Sequence, residues 1–488
     1  MDELWTLDAI SRSYEELVGA RLIVDNAPPL WTSLSWVWLR VVGTYDQGAL
    51  RSLSTFFSVV AIAAPLVGAI KMRSLRPTFL VMAALFALSM LPVQYAAEMR
   101  SYSMLMGLGS IATVIWAGLL TDALPRSGRW IFAFALAGAL AGFGHYYGNL
   151  LYAGELGLLL LVWLVKRSQR RPLLVLLGWG TLSLLPVVSF FLVSQSRGHG
   201  NAVAGEPTWT EVRTWTGYAF APLSNVLGNE GPGYAVGAQG YGNKIVGLVA
   251  VAVLLAVVVH FVARRISPDR VTSPAVLVGV CSLVVVAAGV ALAWGVSVVL
   301  PPSMNVRNLA ALLPALFLAT AAACTLPSNE RFRWVTGGVL VGVWVLGAVS
   351  YVGQYGVATL GPPWQQNAGY RGTVNVLLEA SKETPQPTLV GLKQPWNWNG
   401  DYDAAIRSEL GAAPADANGP SPLPVQWVVG PQDLPAVTAP DGPLIVFGYT
   451  GDPRGIEIFA WAEKTHGPCV LTKFGNGGYG NVDVARCG

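Results

Sequence analysis

Long apolar stretches separated by short polar turns constrain the fold of this chain more than any other feature. About ten stretches approach the roughly 20 mostly apolar residues that a helix needs to cross a bilayer. Only 12% of the 488 residues are charged and 53% are hydrophobic, which is typical of polytopic membrane proteins. The expected spans are 51–71, 78–96, 101–121, 129–145, 148–165, 172–193, 244–262, 273–299, 308–326 and 334–357. The expected fold class is an α-helical polytopic membrane protein.

Basic residues mark every second connection between these spans. They are Lys71, Arg73 and Arg76; Arg126 and Arg129; Lys166, Arg167, Arg170 and Arg171; Arg264, Arg265 and Arg270; and Arg331 and Arg333. Cytoplasmic loops are enriched in lysine and arginine, so these connections are predicted to be cytoplasmic. The segment 1–50, the loop 194–243 and the tail from 358 are then predicted to lie outside.

The first 50 residues are predicted to lie on the outer membrane surface. The chain begins with the acidic pair Asp2 and Glu3, and no helix precedes it to carry it outside, so a first transmembrane helix is expected to be missing. The stretches "WTLDAISRSYEELVGARL" and "PPLWTSLSWVWLRVVG" have apolar residues at helical spacing. Pro29 suits the first turn of the second one. Both are predicted to be amphipathic helices in the interface plane.

The tail, residues 358–488, has the pattern of a small α/β domain. Short apolar runs, "PTLVGL", "VQWVVG", "GPLIVFGY" and "PCVLTKF", predict strands, and "YRGTVNVLLEAS" and "IEIFAWAEKT" predict helices. Cys469 and Cys487 could form a disulfide if the tail lies outside the cytosol. Cys281 and Cys324 fall in apolar spans and are interpreted as packing residues.

Ionisable residues recur where spans meet the predicted outer face. They are Asp2 and Glu3, Asp25, Glu98, Arg100, His145 and Arg307. Ionisable groups at membrane depth usually line a cavity or pair with each other. Carboxylates can accept a proton from a hydroxyl, and arginines bind phosphate oxygens. Their shared depth predicts one pocket for a substrate with a phosphate head and a lipid tail.

Each of these residues also has a structural interpretation. Asp2 and Glu3 could be a solvated terminus, and Asp25 could cap the helix that begins at "PPLW". Glu98 and Arg100 could be a structural ion pair. His145 could be a hydrogen-bonded interface residue, and Arg307 an ordinary charge beside the membrane.

The order of these motifs resembles the lipid-linked-sugar glycosyltransferases of the GT-C fold. An acidic pair, an amphipathic helix, "DNAPPL" before a Trp-rich helix, "AAEMRSY", an H-Y turn and an arginine ahead of "LLPAL" follow one another over residues 2–357. The resemblance is to the protein O-mannosyltransferase and aminoarabinose-transferase-like branch of bacteria. Ala27 stands where that family often has His, and "AAEMRSY" matches the family's outer turn only approximately.

The resemblance implies an inverting transfer from a polyprenyl-phosphate sugar on the extracytoplasmic side of the bacterial inner membrane. Asp2 matches the proposed general base and Glu3 its partner. Asp25, Glu98, Arg100, Tyr102, His145 and Arg307 are the expected substrate-binding residues. The acceptor is a glycan, lipid or protein, and no nucleic acid is expected as a partner. A divalent metal could be held by Asp2, Glu3 and Asp25, although nothing in the sequence requires one.

Two other classes of protein fit the same composition. A transporter or lipid flippase predicts charges near mid-bilayer and paired broken helices. A non-catalytic assembly subunit predicts that the outer charges are scattered in space.

Overall fold

The computed structural model of the chain describes a helical region and a C-terminal sheet. The described residues are most of 28–165, 170–196, 208–219, 274–299, 307–325, 368–392, 423–437, 443–449, 453–474 and 482–488, together with parts of 6–17 and 331–346. The chain divides into two compact units. The mixed unit contains Met1–Gly19, Thr32–Leu53 and Pro362–Gly488, and the helical unit contains Ala20–Trp31 and Ser54–Gly361.

Eleven α-helices with at least seven residues precede the C-terminal sheet domain in the described ranges. They are α1 (Leu30–Val42), α2 (Gln47–Lys71), α3 (Arg76–Leu88), α4 (Met90–Ala96), α5 (Tyr102–Leu120), α6 (Gly128–Gly144), α7 (Gly148–Val165), α8 (Arg170–Ser196), α9 (Trp209–Ala219), α10 (Pro274–Val299) and α11 (Leu313–Cys324). A 3₁₀ segment, Asn308–Leu312, leads into α11. The predicted span 244–262 lies outside the described residues, and 334–357 is described only in fragments.

Four of these helices are long and apolar enough to cross a membrane. They cover Gly48–Lys71, Tyr102–Leu120, Gly148–Val165 and Pro274–Val298. Two shorter apolar helical stretches, Gly128–Gly144 and Asn308–Cys324, accompany them. The prediction of a helical membrane protein is confirmed at this level, whereas the count of ten spans stays a prediction.

The predicted span 78–96 is broken into two helices. Ser89 has an extended backbone, with ψ of 141°, between α3 and α4. The break follows from Pro92, which has no N–H to donate to the carbonyl of Leu88 and would clash with it in a continuous helix. The short helix α4 can therefore leave the axis of α3 and carry Tyr95 and Glu98 independently of it.

Helix α5 is at the centre of the helical unit, and 17 of its 19 residues are buried. Small residues let its neighbours approach closely. A Cβ on Gly107 would clash with the carbonyl oxygen of Phe57 on α2, and the hydroxyl of Ser110 donates to the carbonyl of Ala61 at 2.9 Å. Close approach through small residues is the usual packing of membrane helices.

Helices α3 and α11 run antiparallel. The hydroxyls of Thr78 and Thr325 are 2.7 Å apart, and the rings of Phe86 and Phe317 are 4.9 Å apart. The end of α11 therefore lies beside the start of α3, and the start of α11 lies beside the end of α3.

Helix α5 runs parallel to α2, because Gly107 faces Phe57 and Val114 faces Gly68. Helix α3 turns back along α2, with Phe79 also against Gly68. Both α5 and α11 are therefore antiparallel to α3, so they run in the same direction.

The C-terminal residues form a five-stranded sheet in the order β2-β1-β3-β5-β4. Strands β1 (Thr388–Leu392), β2 (Val425–Val428) and β3 (Leu444–Tyr449) are parallel. Strand β5 (Val482–Cys487) pairs antiparallel with β3 on one side and with the edge strand β4 (Cys469–Phe474) on the other. Two further helices, α12 (Ala368–Ala380) and α13 (Pro453–His466), pack on the sheet. The four predicted strands and both predicted helices of this domain are confirmed, and β5 is an addition.

A disulfide joins Cys469 and Cys487. The two residues are directly opposite each other in the antiparallel pair of β4 and β5. The disulfide that the sequence left open is therefore present, and it links the edge strand β4 covalently to β5. Cys281 and Cys324 take no part in a disulfide.

Helix α1 begins at Leu30, immediately after Pro28 and Pro29. Trp31, Ser35 and Leu39 are buried, whereas Val37 and Val41 are exposed. The apolar side chains of Val37 and Val41 are thus available to lipid, as an interfacial helix requires. That assignment stays a prediction.

Candidate functional site

The turn between α4 and α5 holds two of the predicted substrate-binding residues. Glu98 is buried, and the backbone N–H of Arg100 donates to its carbonyl at 2.8 Å. Helix α5 then begins at Tyr102, whose side chain is also buried. The tight turn places a carboxyl, a guanidinium and a phenol within five consecutive residues.

A continuous series of aromatic rings connects this turn to the turn between α6 and α7. The ring centroids are 4.8 Å apart for Tyr95 and Tyr102, 5.5 Å for Tyr102 and His145, and 5.8 Å for His145 and Tyr147. The turn cluster is defined here as Tyr95, Glu98, Arg100, Tyr102, His145 and Tyr147. The structure therefore brings His145 beside the turn that carries Glu98, Arg100 and Tyr102, although the sequence placed them in two separate turns.

His145 is neutral at physiological pH. Burial of the ring, followed by the nearby positive charge of Arg100, lowers the pKa of His145 to about 4. The backbone N–H of Tyr147 donates to Nδ1 at 3.3 Å, which fits a neutral ring with its proton on Nε2. His145 can therefore act as a hydrogen-bond donor through Nε2 without adding a charge beside Arg100.

Arg307 lies at the same end of the bundle as the turn cluster. A Cβ on Gly109 of α5 would lie 3.2 Å from Cγ of Pro314 on α11. Tyr102 and Arg307 are each seven positions before that contact, and α5 and α11 run in the same direction. The same number of helical residues therefore separates Tyr102 and Arg307 from the contact between Gly109 and Pro314. Arg307 is thus at a depth close to that of Tyr102.

Helix α9 lies at the same end of the bundle as the turn cluster. It packs against α4 and against the 3₁₀ segment that follows Arg307. Its residues Thr214, Trp215 and Thr216 are buried. The predicted outer loop therefore contributes an ordered helix beside the turn cluster.

Three predicted site residues cannot be placed. Asp2, Glu3 and Asp25 lie outside the described residues. Within the described ranges, no group of three or more His, Cys, Asp or Glu side chains is arranged to hold a metal ion. The expectation of a divalent metal concerned Asp2, Glu3 and Asp25, so it stays a prediction.

Sequence reasoning missed three residues. Tyr95 and Tyr147 complete the aromatic series, and both are buried. Glu155 is fully buried within α7. A lone glutamate in the run "GNLLYAGELGLLLLVWLV" is a signal that the sequence does contain, because carboxyl groups inside membrane helices are rare.

Taken together, the turn cluster and Arg307 supply the types of group that the sequence predicted for a phosphate-bearing substrate. Arg100 and Arg307 supply guanidinium donors, His145 supplies a neutral N–H donor, and Glu98 supplies a carboxyl group. Tyrosine rings next to polar groups suit a ligand that is partly apolar.

Comparison with known proteins gives only distant structural likenesses. No protein-family model matches the chain, and no curated protein sequence matches it. The oligosaccharyltransferase of Archaeoglobus fulgidus in its apo form is similar with a TM-score of 0.41 and 11% identity, over 83% of this chain and 60% of that one.

The same archaeal enzyme, AglB, in complex with an inhibitory peptide and a dolichol-phosphate gives a TM-score of 0.37 and 11% identity, over 83% of this chain and 60% of that one. Its complex with Zn and sulfate gives 0.36 and 12%, over 83% and 57%. The chain spans about 60% of the length of these solved structures.

Proposed function

We propose that this protein is a membrane glycosyltransferase that moves a sugar from a polyprenyl-phosphate donor to an acceptor on the extracytoplasmic side. The observation that carries the proposal is the meeting of Arg100, Tyr102 and His145 in one cluster, with Arg307 at the same end of the bundle. A non-catalytic subunit gives no reason for cationic, neutral-donor and aromatic groups from separate turns to converge there.

The arginines hold the lipid phosphate as it leaves. Negative charge develops on the phosphate oxygen as the bond to the anomeric carbon breaks, and fixed guanidinium groups stabilise that charge. His145 Nε2–H adds a hydrogen-bond donor without adding a second positive charge beside Arg100. The tyrosine rings line the approach of the sugar or of the first prenyl unit.

The transfer is a single displacement that inverts the anomeric centre. The acceptor hydroxyl or amine forms a bond to the anomeric carbon while the bond from that carbon to the phosphate oxygen breaks. The proton of the acceptor passes to Asp2, which the family resemblance assigns as the general base, with Glu3 as its partner. Asp25, Glu98 and Tyr102 complete the substrate-binding residues of the proposal.

The proposed site faces away from the cytoplasm, in a bacterial inner membrane. The basic connections support this orientation. The disulfide between Cys469 and Cys487 supports an oxidising location for the C-terminal domain. If the enzyme uses a divalent metal, Asp2, Glu3 and Asp25 are the carboxylates that would hold it, and the metal would supply charge stabilisation at the phosphate.

Sugar transfer in liposomes tests the proposal. The purified full chain is mixed with polyprenyl-phosphate sugars and candidate acceptors, and product formation is followed for wild type, Arg100→Ala, Arg307→Ala and Asp2→Asn. We expect Arg100→Ala and Arg307→Ala to lose about 10²-fold or more in kcat, by analogy with the loss of an oxyanion donor. Asp2→Asn should lose about 10²- to 10⁴-fold, the usual contribution of a general base.

Arg171→Ala is the matched control, because Arg171 is exposed at the start of α8, on the predicted cytoplasmic side. It should retain wild-type turnover. Equal turnover in all five proteins would contradict the assigned roles, and movement of the lipid across the bilayer without sugar transfer would favour a flippase.

A further inference from the structure

Glu155 is a buried carboxyl group that the proposed chemistry does not use. Its side chain has 0% exposure. Oε1 accepts a hydrogen bond from the hydroxyl of Thr113 on α5, and its backbone carbonyl accepts one from Nε1 of Trp116 at 2.8 Å. Among the described residues, Oε2 has no hydrogen-bond partner. One residue of α7 therefore makes two hydrogen bonds to α5.

These bonds belong to a seam that joins α5 and α7 along their length. Thr113 meets Glu155, Gly109 lies against Leu151, and Tyr102 lies against His145 at the turn. Each residue of the first helix meets a residue 42 or 43 positions later in the chain. The two helices therefore run parallel and in register from Glu155 to the turn cluster.

The register of this seam sets the geometry of the turn cluster. Tyr102 and Thr113 are 11 positions apart on α5, which is close to three full helical turns, so both lie on the same face. His145 immediately follows α6, three positions before α7 begins, and has its ring against Tyr102. A slide of either helix by one turn would separate the two rings by about 5.4 Å.

Apolar packing alone fixes this register weakly. Between Glu155 and the turn cluster, the seam has Gly109 against Leu151, an apolar contact that can also form in neighbouring registers. The hydrogen bond from Thr113 to Glu155 forms in only one register of the two helices. If one helix slid along the other, both polar groups would lose their hydrogen bond in apolar surroundings, which is costly. The carbonyl bond from Trp116 adds a second constraint in the same turn.

We propose that Glu155 is a positioning residue, whose bonds to Thr113 and Trp116 hold α5 and α7 in the register that brings His145 against Tyr102. This inference rests on the proposed function in one respect, namely that the turn cluster is the site that binds the donor phosphate. Glu155 acts through His145 and does not touch the substrate.

Three substitutions separate positioning from general packing. Glu155→Gln keeps the carbonyl oxygen that accepts from Thr113. Glu155→Leu removes the acceptor, and Thr113→Val removes the donor at nearly constant volume. Leu161→Ala is the control, because Leu161 lies on the same helix and is 55% exposed.

The first readout is the rate at which diethyl pyrocarbonate modifies His145, followed by peptide mass spectrometry on the detergent-solubilised chain. We expect a several-fold faster reaction in Glu155→Leu and in Thr113→Val, and wild-type rates in Glu155→Gln and Leu161→Ala. This readout does not depend on sugar transfer, so it remains informative if the proposed function is wrong.

The second readout is the division of the effect between kcat and KM. A displaced donor site should lower kcat by about tenfold or more, and Glu155→Gln should restore it. The proposal is overturned if folded Thr113→Val and Glu155→Leu leave both readouts unchanged. It is equally overturned if Glu155→Gln is as damaging as Glu155→Leu, because the acid itself would then be required, as in a proton-coupled transporter.

Discussion

At the scale of single residues, the neutral state of His145 decides what the turn cluster can bind. The sequence left open whether this histidine serves the substrate or only bonds to the protein. In the structure it accepts the N–H of Tyr147 at Nδ1 and stacks beside Tyr102, so one ring nitrogen has a structural bond and the other keeps its proton. In the proposed function, an uncharged donor at this position can approach the donor phosphate without repelling the guanidinium of Arg100.

The positive charge of Arg100 can be tested through the titration of His145. The pKa is about 4, so the ring is neutral above pH 5 and becomes charged only as the pH falls through 4. Arg100→Gln removes the repulsion and should raise the pKa, while burial keeps it below the ordinary value near 6.5. NMR of protein with ¹⁵N-labelled histidine measures the shift.

Arg171→Gln is the control for that titration and should leave the pKa of His145 unchanged. The resonance is assigned by its loss in His145→Gln. A pKa of His145 near 6.5 in the wild-type protein would show that the ring is solvated, and the role of a neutral donor would then be lost.

Residue types were easier to predict from sequence than their partners. The positions of Glu98, Arg100 and His145 at the ends of apolar stretches identified them as candidates. Nothing in one sequence pairs Thr113 with Glu155, because their contact depends on two helices 42 positions apart meeting in register. Tyr95 and Tyr147 were missed for the same reason, since each was one of many aromatic residues at a span end.

At the scale of helices and strands, glycines determine how closely the spans pack. Gly138 on α6 faces the ring of Tyr152 on α7, and any Cβ there would overlap the ring. The hydroxyl of Tyr152 lies 2.8 Å from that of Ser183 on α8. The tyrosine therefore has little freedom to give way.

Substitution of this glycine should destabilise the helical unit. Gly138→Ala forces Tyr152 to move and should cost about 1–3 kcal/mol, the usual penalty of overpacking. Thermal unfolding in detergent, followed by tryptophan fluorescence, measures the change. Gly157→Ala is the matched control on α7, because nothing lies within 4 Å of its added Cβ. A midpoint in Gly138→Ala equal to that of the control would contradict the packing argument.

The boundaries of elements followed from local sequence except where tertiary structure intervened. Pro92 indicated the break at Ser89, but the segment 78–96 is apolar throughout and was therefore predicted as one span. Strand β5 was missed because "VDVARC" contains two charged residues, Asp483 and Arg486, and so forms neither a continuous apolar run nor a strict alternation. Asp483 is nevertheless buried, and burial of an aspartate depends on neighbours that a single sequence does not reveal.

At the scale of the whole molecule, the fold class and the mixed α/β tail were predictable, and the number of spans was not. Hydropathy identifies apolar segments directly. The division into two compact units joins Met1–Gly19 and Thr32–Leu53 with the C-terminal residues, and no local pattern indicates that grouping. Contacts between residues hundreds of positions apart determine it.

The disulfide should contribute measurably to the stability of the C-terminal domain. It joins residues 18 positions apart. Loss of a cross-link of this span lowers the free energy of unfolding by about 3 kcal/mol. Cys469→Ser with Cys487→Ser should therefore accelerate limited proteolysis within residues 368–488 of the full chain. Cys324→Ser is the control, and equal cleavage rates in both proteins would show that the bond contributes nothing.

The place of β4 at the edge of the sheet has a practical consequence for handling the protein. Val470 on this strand is 72% exposed, and Leu471 is exposed as well. A thiol reductant in a purification buffer would break the cross-link and leave β4 held only by its backbone ladder with β5. This edge strand would then fray more often, and its backbone groups could pair with the sheet of another molecule. Preparations made without reductant should stay monodisperse for longer.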